Sequence, residues 1–442
     1  MYKGYIQNNT KSILLDFSVI CFVLICCSGF SFLMPLRIAI IGLFAITIVI
    51  LNIKGSTYRF YISQLSNWFV IFLVLMVFSI FFSFDKVQTI KYSYVYFVGL
   101  VLVLNPMRDY FHYLTFNSIF VCTKIIALSI IVNLFIPNLF TNYLGFLIRG
   151  GSTTVINEVN NHIYSGLMGE KGEAAYIMVI AIILLLSICA AEKKISRKNA
   201  IWLCVFFVAL ILPAKRMLFV IGILMCMLYL LFWTSRKKKI ISVGFFGSLA
   251  SLGLIVASNI PTLSTLLERF LSYSEDRSVN GRTYLWEHAI DMYQNKPWFG
   301  YGYGSFNAYA SLKGVILTSS RDWVSQAHNF YFQLLGETGI IGTFVFLVIA
   351  FCGIYNFVQV YRKRSILNKN DFMLLFLGGN VQVLTLLYGL SGNCIYYTNQ
   401  IMFYFWSLAL MVFLQRKYIR AKTMKTIIKN KNDLLQGENV RK

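Results

Sequence analysis

The feature that most constrains this chain is the repetition of long, uncharged apolar runs along most of its length. Many of these runs approach the ~20 apolar residues that cross the hydrocarbon core of a bilayer as a helix. The sequence is 58% apolar and 13% charged, with a mean hydropathy of +0.67, whereas soluble domains carry roughly 25% charged residues. Because the runs do not alternate polar with apolar residues, they indicate helices and not membrane strands. We therefore predict an all-α polytopic membrane protein.

The runs predict about twelve transmembrane helices and a large helical extracytoplasmic loop. The predicted spans lie at 13–33, 35–53, 66–84, 89–106, 115–136, 173–191, 198–213, 216–234, 239–258, 338–361, 371–390 and 394–414. Residues 1–258 then hold nine spans with an outer loop at about 137–172, and residues 259–337 form the large outer loop. Residues 338–414 hold three more spans, and residues 415–442 form a basic tail.

The net charge is +23, and most of the 40 basic residues lie in short loops between spans and in the tail. This is the distribution that the positive-inside rule gives cytoplasmic loops. It predicts a multi-pass protein of the cytoplasmic (inner) membrane with both termini in the cytoplasm. It also argues against a nucleic-acid partner, which would need a basic soluble face. Membrane lipids are the expected surroundings.

The two long outer segments differ in character. The first, 137–172, mixes apolar and Gly/Asn/Ser stretches, which suggests a partly re-entrant loop. In the second, TLSTLLERFLSYSEDR predicts an amphipathic helix on the membrane surface and TYLWEHAIDMYQ predicts another helix. Pro297 and the following GYGYG predict that this helix ends in a turn.

Several chemistries lack their usual sequence signs. The 9 cysteines show no metal-ligand or disulfide spacing, and most lie inside apolar runs. The sequence has no phosphate-binding loop and no nucleophile elbow. We therefore predict no cofactor, and a transfer reaction would need a donor that is already activated.

The longest polar interval between apolar runs, from Arg282 to Gly342, is the predicted working segment. Arg282 opens a helix and offers a planar fork of donors that suits phosphate, although an exposed arginine is the simpler interpretation. Lys215 and Arg216 form a charged hairpin between two spans, where snorkelling to lipid headgroups is the alternative. His328 could take a proton from a sugar hydroxyl near neutral pH. His288, which follows Arg282 closely, is the strongest alternative to His328 for this role.

Two other kinds of charged residue leave alternatives open. The outer carboxylates considered as a glycosidase pair show no spacing that singles out two of them; they are Glu268, Glu275, Asp276, Glu287, Asp291, Asp322 and Glu337. Lys124 lies inside a predicted span and should face protein or water, as a functional site or as part of a structural pair.

In combination, Arg282, Trp286, PWFGYGYGSF, His328-Asn329 and GETGIIG resemble the signature of the O-antigen ligase and Wzy-type polymerase superfamily. The resemblance implies about a dozen spans, a long outer loop near the C-terminal third and an active site on the outer face. It also implies metal-independent, inverting glycosyl transfer from an undecaprenyl-diphosphate-linked donor.

The resemblance implies roles for individual residues. Arg216, Arg282 and His328 correspond to the two arginines and the histidine implicated in catalysis. Lys215, Trp286, Asn329 and Glu337 become the candidate substrate-binding residues. At Lys215-Arg216 the sequence departs from the family's pattern, which usually has a Ser-Arg pair here.

The function expected from these features is that of a polysaccharide polymerase, joining repeat units carried on undecaprenyl diphosphate. A ligase that moves finished glycan to lipid A-core or another acceptor is the alternative, because both share these motifs. A lipid-linked oligosaccharide flippase is less favoured, because transporters concentrate polar residues near the midplane and often have related halves. A chain-length regulator and a flippase are the candidate protein partners.

Overall fold

A computed structural model describes residues 9–54, 62–105, 109–233, 264, 277–313 and 326–420. Fourteen α-helices follow one another in this part of the chain. They are α1 Asn9–Cys27, α2 Arg37–Lys54, α3 Gln64–Ser79, α4 Lys86–Leu104, α5 Asp109–Phe135, α6 Gly151–Asn160, α7 Lys171–Glu192, α8 Arg197–Ile211, α9 Arg216–Trp233, α10 Arg277–Asn295, α11 Phe306–Leu312, α12 Phe330–Tyr361, α13 Lys369–Tyr388 and α14 Thr398–Gln415.

The all-α polytopic membrane architecture predicted from hydropathy is confirmed. Helices occupy eleven of the twelve predicted spans, and the remaining one, 239–258, lies outside the described residues. Among the described helices, five (α4, α5, α7, α12 and α13) are long and apolar enough to cross a membrane. The predicted surface helix at TLSTLLERFLSYSEDR lies almost wholly outside the described residues.

Two helices form the centre of the bundle. Nearly every residue of α7 and α14 is buried, including Tyr176, Trp406 and Tyr404. A helix that is apolar on all sides can be buried on all sides, and the sequences of α7 and α14 have this composition. The surrounding helices keep exposed apolar faces, for example at Val74, Ile125 and Phe351, as expected where helices meet lipid.

Polar contacts at one end of the bundle tie the helices together. Lys417 Nζ lies 2.7 Å from Asp109 Oδ2 and 2.9 Å from Asp371 Oδ2, which joins the region after α14 to the starts of α5 and α13. Lys369 Nζ lies 3.0 Å from Glu192 Oε1, which joins α13 to the end of α7. The predicted cytoplasmic segments lie at this end. The opposite end, called the site end below, gathers the predicted outer segments.

Helix α12 is broken at Gly339, whose φ of 63° and ψ of −169° are not helical. Positions 330 and 346 would be about 24 Å apart in a continuous helix, yet the rings of Phe330 and Phe346 lie 5.6 Å apart. The chain therefore folds back at Gly339. A short arm (330–338) packs against a long arm (340–361), and the long arm corresponds to the predicted span 338–361.

The first outer segment packs onto the site end through short helical turns at Leu139–Leu144, Gly145–Leu147 and Gly166–Met168 and through α6. Tyr164 N donates to Leu212 O at 3.1 Å, and Leu167 N donates to Ser129 Oγ at 3.1 Å. These bonds hold the segment against the ends of α5 and α8. Nearer the middle of α5, Lys124 Nζ lies 4.0 Å from the centre of the Phe120 ring, which gives the lysine a structural partner.

Candidate functional site

Three cationic or titratable side chains from different parts of the chain converge at the site end. Lys215 lies in the turn between α8 and α9, Arg282 lies in α10, and His328 lies just before α12. The charges of Arg282 and Lys215 both act on His328, and the charge of Arg282 also acts on Lys215. We call these three residues the Lys–Arg–His cluster.

The pKa of His328 is lowered to about 4, first because surrounding protein excludes water from the imidazole, and second because Arg282 and Lys215 are positively charged. Glu170 acts in the opposite direction and raises that pKa. The residue nevertheless keeps part of its surface exposed, so a substrate can reach it. At neutral pH the imidazole is uncharged and can accept a proton.

Lys215 is also affected by its surroundings. Its pKa is lowered, mainly because burial removes water from the ammonium group, while the nearby Glu170 and Glu158 raise it. A desolvated cation next to an arginine is a costly arrangement unless negative charge lies nearby. Glu170 and Glu158 supply part of that negative charge, and an anionic ligand beside Lys215 and Arg282 would supply more.

Trp286 fixes the distance between α10 and the start of α12. Its Nε1 donates to Ala327 O at 2.8 Å, and its ring lies 5.6 Å from that of Phe332. Arg282 precedes Trp286 by about one helical turn and so lies on the same face of α10. The hydrogen bond therefore holds Arg282 and the residue preceding His328 in register.

His328 itself has a φ of 53°, in the left-handed region that most side chains avoid. The next residue, Asn329, is buried and caps α12, because its Oδ1 accepts hydrogen bonds from Tyr331 N at 3.0 Å and Phe332 N at 3.3 Å. Backbone strain of this kind persists where surrounding contacts hold it and is common at functional sites. Here the cap and the Trp286 bond hold the chain on both sides of His328.

Glu337 lies in the short arm of α12 and is fully buried. Its Oε2 accepts from Gly304 N at 2.7 Å and from the Tyr396 hydroxyl at 2.8 Å. Its Oε1 accepts from Phe306 N at 3.0 Å and from Gln333 Nε2 at 3.1 Å. Both oxygens are thus occupied by donors of the protein itself. Two of these donors are backbone groups, at the last residue of GYGYG and two residues after it.

The predicted turn after α10 is confirmed, and it is packed into the bundle. Gly300, Gly302 and Gly304 have φ values of 65°, 94° and 89°. A Cβ at Gly302 would lie 2.4 Å from Ser83, so the glycine permits both the backbone shape and the close approach of the loop between α3 and α4. Between two of these glycines, Tyr303 is fully buried and stacks on Tyr396 at 4.8 Å.

The turn and the break in α12 complete each other's backbone hydrogen bonds. Ile340 N donates to Pro297 O at 2.8 Å, and Gly302 N donates to Glu337 O at 2.8 Å. The break at Gly339 releases the groups that make these bonds, because they would otherwise pair within one helix. The PWFGYG and GETGI stretches, which lie far apart in sequence, are therefore one structural unit.

The residues predicted from sequence fall into two groups. Lys215, Arg282 and His328 lie in the cluster, and Arg216 is the adjacent first residue of α9. Trp286, Asn329 and Glu337 instead make internal hydrogen bonds that shape the backbone around the cluster. The rival His288 lies against Tyr284, with 4.6 Å between the ring centres.

Sequence reasoning missed an acidic group at the site. Glu170 lies immediately before α7, and its charge acts on His328, Lys215, Tyr388 and Tyr397. The carboxylates compared in the sequence came from the second outer segment, whereas Glu170 belongs to the first. The available signal was its place in GEKGE, at the start of a helix whose residues 174–191 carry no charge.

Comparison with known proteins agrees with this architecture. Residues 200–347, which include the whole Lys–Arg–His cluster, match a family described as O-Antigen ligase. The ComP-specific O-oligosaccharyltransferase of Acinetobacter baylyi is 25% identical over 356 residues, 77% of this chain and 60% of that protein. The exopolysaccharide production protein ExoQ of Rhizobium meliloti is 28% identical over 149 residues, 32% of each chain. The chain thus spans less than two thirds of the length of either relative.

Proposed function

We propose, for this membrane protein of the O-antigen ligase and Wzy-type polymerase superfamily, the function of a polysaccharide polymerase. It would transfer glycan from an undecaprenyl-diphosphate-linked donor to a hydroxyl of a lipid-linked repeat unit, with inversion at the anomeric carbon. The single observation that carries the proposal is the convergence of Lys215, Arg282 and His328 at the site end.

The reaction needs three things that the cluster offers. His328 takes the proton from the acceptor hydroxyl as its oxygen attacks the anomeric carbon. The bond from that carbon to the phosphate oxygen breaks, and its electron pair leaves with the lipid diphosphate. Arg282 and Lys215 offset the negative charge that grows on the leaving group, which is the kind of preorganised stabilisation that dominates many enzymes. Arg216, next to Lys215, is assigned to the same anionic group.

The remaining predicted residues are assigned to positioning. Trp286 and Asn329 hold His328 in its strained backbone conformation, and Glu337 holds the short arm of α12 against the turn after α10. This assignment replaces the substrate-binding role that the sequence suggested for them. It is supported by the internal hydrogen bonds of all three side chains.

The test is a set of single substitutions in the producing cell, with surface polysaccharide examined by gel electrophoresis. Arg282→Ala and His328→Ala should each abolish long chains, because loss of one stabilising group commonly costs ~10²–10³ in rate. Comparing Lys215→Ala with Arg216→Ala shows which of these two adjacent cations is needed to make long chains. Normal long chains in either the Arg282 or the His328 variant would exclude the proposed site.

The matched control is Arg197→Ala, which removes an exposed arginine at the opposite end of the bundle. It should leave chain length and protein amount unchanged. Each variant is also quantified in isolated membranes, so that a missing product is not confused with missing protein.

A ligase is the second candidate, favoured by the description of the matching family. Gene deletion separates the two functions. A polymerase deletion leaves single repeat units attached to the final acceptor, whereas a ligase deletion leaves polymer on its carrier lipid. Polymer accumulating on the carrier would replace the polymerase assignment with the ligase assignment.

A further inference from the structure

Two arginines lie together at the site end, apart from the Lys–Arg–His cluster. Arg37 is the first residue of α2, and its Nη2 donates to Ser28 O at 3.1 Å. Arg149 follows the turn Gly145–Leu147, and its backbone N donates to Gly29 O at 2.8 Å. Because Ser28 and Gly29 are consecutive residues, these two bonds hold Arg37 and Arg149 against one short stretch of chain. We call these two residues the arginine pair.

The arginine pair keeps N–H donors that its protein partners do not use. Arg149 forms an ion pair with Glu173, which is fully buried in the first turn of α7, while 31% of the Arg149 side chain remains exposed. Within the described residues Arg37 forms no ion pair, and its bond to Ser28 O uses one of five N–H donors. In this arrangement two cations share one carboxylate. Guanidinium groups with unused donors suit phosphate oxygens, which they bind through two parallel N–H bonds.

Exposed apolar side chains lie beside the arginine pair. They are Phe32 and Leu36 in the connection between α1 and α2, and Phe146 in the first outer segment. Ser31 Oγ lies 3.1 Å from both Phe146 O and Leu147 O, so the two segments form one continuous surface. Cations bordered by exposed apolar groups suit a lipid that carries an anionic headgroup.

The proposed polymerisation uses two lipid diphosphates at once. The donor's diphosphate is the leaving group, so it lies beside His328 and Arg282. The acceptor's diphosphate is joined to the attacking hydroxyl through the sugars of the repeat unit, so it binds at the same end of the bundle but away from His328. The arginine pair is at that end, on α2 and the first outer segment, which contribute none of the three cluster residues.

We propose that the arginine pair binds the diphosphate of the lipid-linked acceptor, with the lipid chain on the apolar surface formed by Phe32, Leu36 and Phe146. This inference rests on the proposed polymerase function, because a ligase whose acceptor carries no lipid diphosphate needs one such site. Arg37 contacts the phosphate oxygens through the donors that Ser28 does not use. Arg149 keeps its contact with Glu173 and adds the exposed part of its side chain.

Binding is counted by native mass spectrometry of the purified full-length protein in detergent micelles, with undecaprenyl diphosphate as the probe. The wild type should bind two molecules. Arg37→Gln can keep the bond to Ser28 O but loses the charge, so the second molecule should bind about 10- to 10²-fold more weakly, the range expected for hydrogen bonds to a charged group. Arg37→Lys keeps the charge and should bind the second molecule better than Arg37→Gln does.

The matched control is Lys86→Gln. It removes an exposed positive charge at the start of α4, at the same end of the bundle, and should still bind two molecules. Arg149 needs a mild change, because its complete removal would leave Glu173 buried without a cation. Arg149→Lys keeps a cation there but lacks the planar fork, so it should also weaken the second molecule. Arg282→Ala should instead weaken the molecule at the Lys–Arg–His cluster.

Turnover supplies an independent measurement. The protein is placed in nanodiscs of phosphatidylcholine, and the substrate is the lipid-linked repeat unit extracted from a strain in which the gene is deleted. In Arg37→Gln, KM should rise about 10- to 10²-fold. Because the arginine pair binds the acceptor away from the reacting atoms, kcat at saturation should stay near that of the wild type.

Four results would overturn the second site. They are a single undecaprenyl diphosphate bound by the wild type, two bound equally well by Arg37→Gln, an unchanged KM in Arg37→Gln, and displacement of the second molecule by phosphatidylglycerol at the same concentration. The last would make the arginine pair a general site for anionic lipid headgroups. All four leave the transfer reaction at His328 and Arg282 standing. If the wild type forms no product from the lipid-linked repeat unit, the proposed function fails, and the acceptor role fails with it even if two molecules bind.

Discussion

Replacing Glu337 by glutamine should destabilise the protein because of how its carboxylate is used. The two oxygens together accept four hydrogen bonds, from Gly304 N, Phe306 N, Gln333 Nε2 and the Tyr396 hydroxyl, and the side chain is fully buried. Glutamine keeps one oxygen and places an NH₂ group where the other stood. With the NH₂ group in place of Oε2, the Tyr396 hydroxyl can rotate to accept from it, but the N–H of Gly304 then faces another donor.

The size of the effect follows from the number of donors left without an acceptor. A buried donor that loses its partner costs about 1–3 kcal/mol, and the better of the two amide orientations leaves one such donor, the N–H of Gly304. At roughly 2 °C per kcal/mol, the melting temperature should fall by at least about 2 °C. Activity should fall as well, because the short arm of α12 and the turn after α10 lose their common anchor.

The assay is thermal unfolding of the purified protein with a dye that becomes fluorescent on reacting with thiols. Buried cysteines such as Cys26, Cys226 and Cys394 become reactive when the bundle unfolds. Glu287→Gln is the control. Because Glu287 is exposed on α10, this variant should melt like the wild type. If Glu337→Gln also melts like the wild type but has a raised donor KM, then Glu337 binds substrate and the positioning role is wrong.

Three further predictions concern the backbone and the histidine. Gly339→Ala should lower the melting temperature more than Gly151→Ala does, although both glycines have positive φ. A Cβ at Gly339 would lie 2.4 Å from the backbone of the neighbouring turn, whereas a Cβ at Gly151 would meet nothing within 4 Å, so equal losses would contradict the close packing. Trp286→Phe removes one hydrogen bond worth about 0.5–1.5 kcal/mol and should lower kcat by up to ~10-fold with little change in protein amount; an unchanged kcat would show that this bond does not position the site. Because the pKa of His328 is lowered to about 4, the histidine stays neutral as pH falls to 5, so kcat/KM should decline near pH 4; a decline centred at the usual histidine value of about 6.5 would contradict this environment.

The helices were predictable because a membrane span is determined by local composition. A run such as α7 can cross a bilayer whatever its neighbours do, and its position was found to within a few residues. The break in α12 was not predictable in this way. It depends on the positive φ of Gly339 and on backbone bonds to Pro297 and Gly302, which composition does not encode.

The site was predictable in part for a related reason. Arg282 and His328 belong to a motif combination that resembles a known family, so they could be selected without knowing their distance. Lys215 was selected because it is next to Arg216, but its electrostatic interaction with Arg282 and His328 depends on the fold. Glu170 was missed because its electrostatic effect on His328 and Lys215 depends on how the fold brings these residues together.

The motifs that mark this site in sequence perform two different physical tasks, and the structure separates them. Arg282 and His328 present groups that a substrate can reach. By contrast, the side chains of Trp286, Asn329 and Glu337 form hydrogen bonds with other groups of the protein. The second task is needed because the first requires strain: a histidine with a φ of 53° keeps that conformation only if contacts on both sides oppose relaxation. It follows that substitutions of the internal residues should act on rate through geometry, with donor KM little changed. Under the proposed function, substitution of Arg282 should instead weaken binding of the leaving group directly.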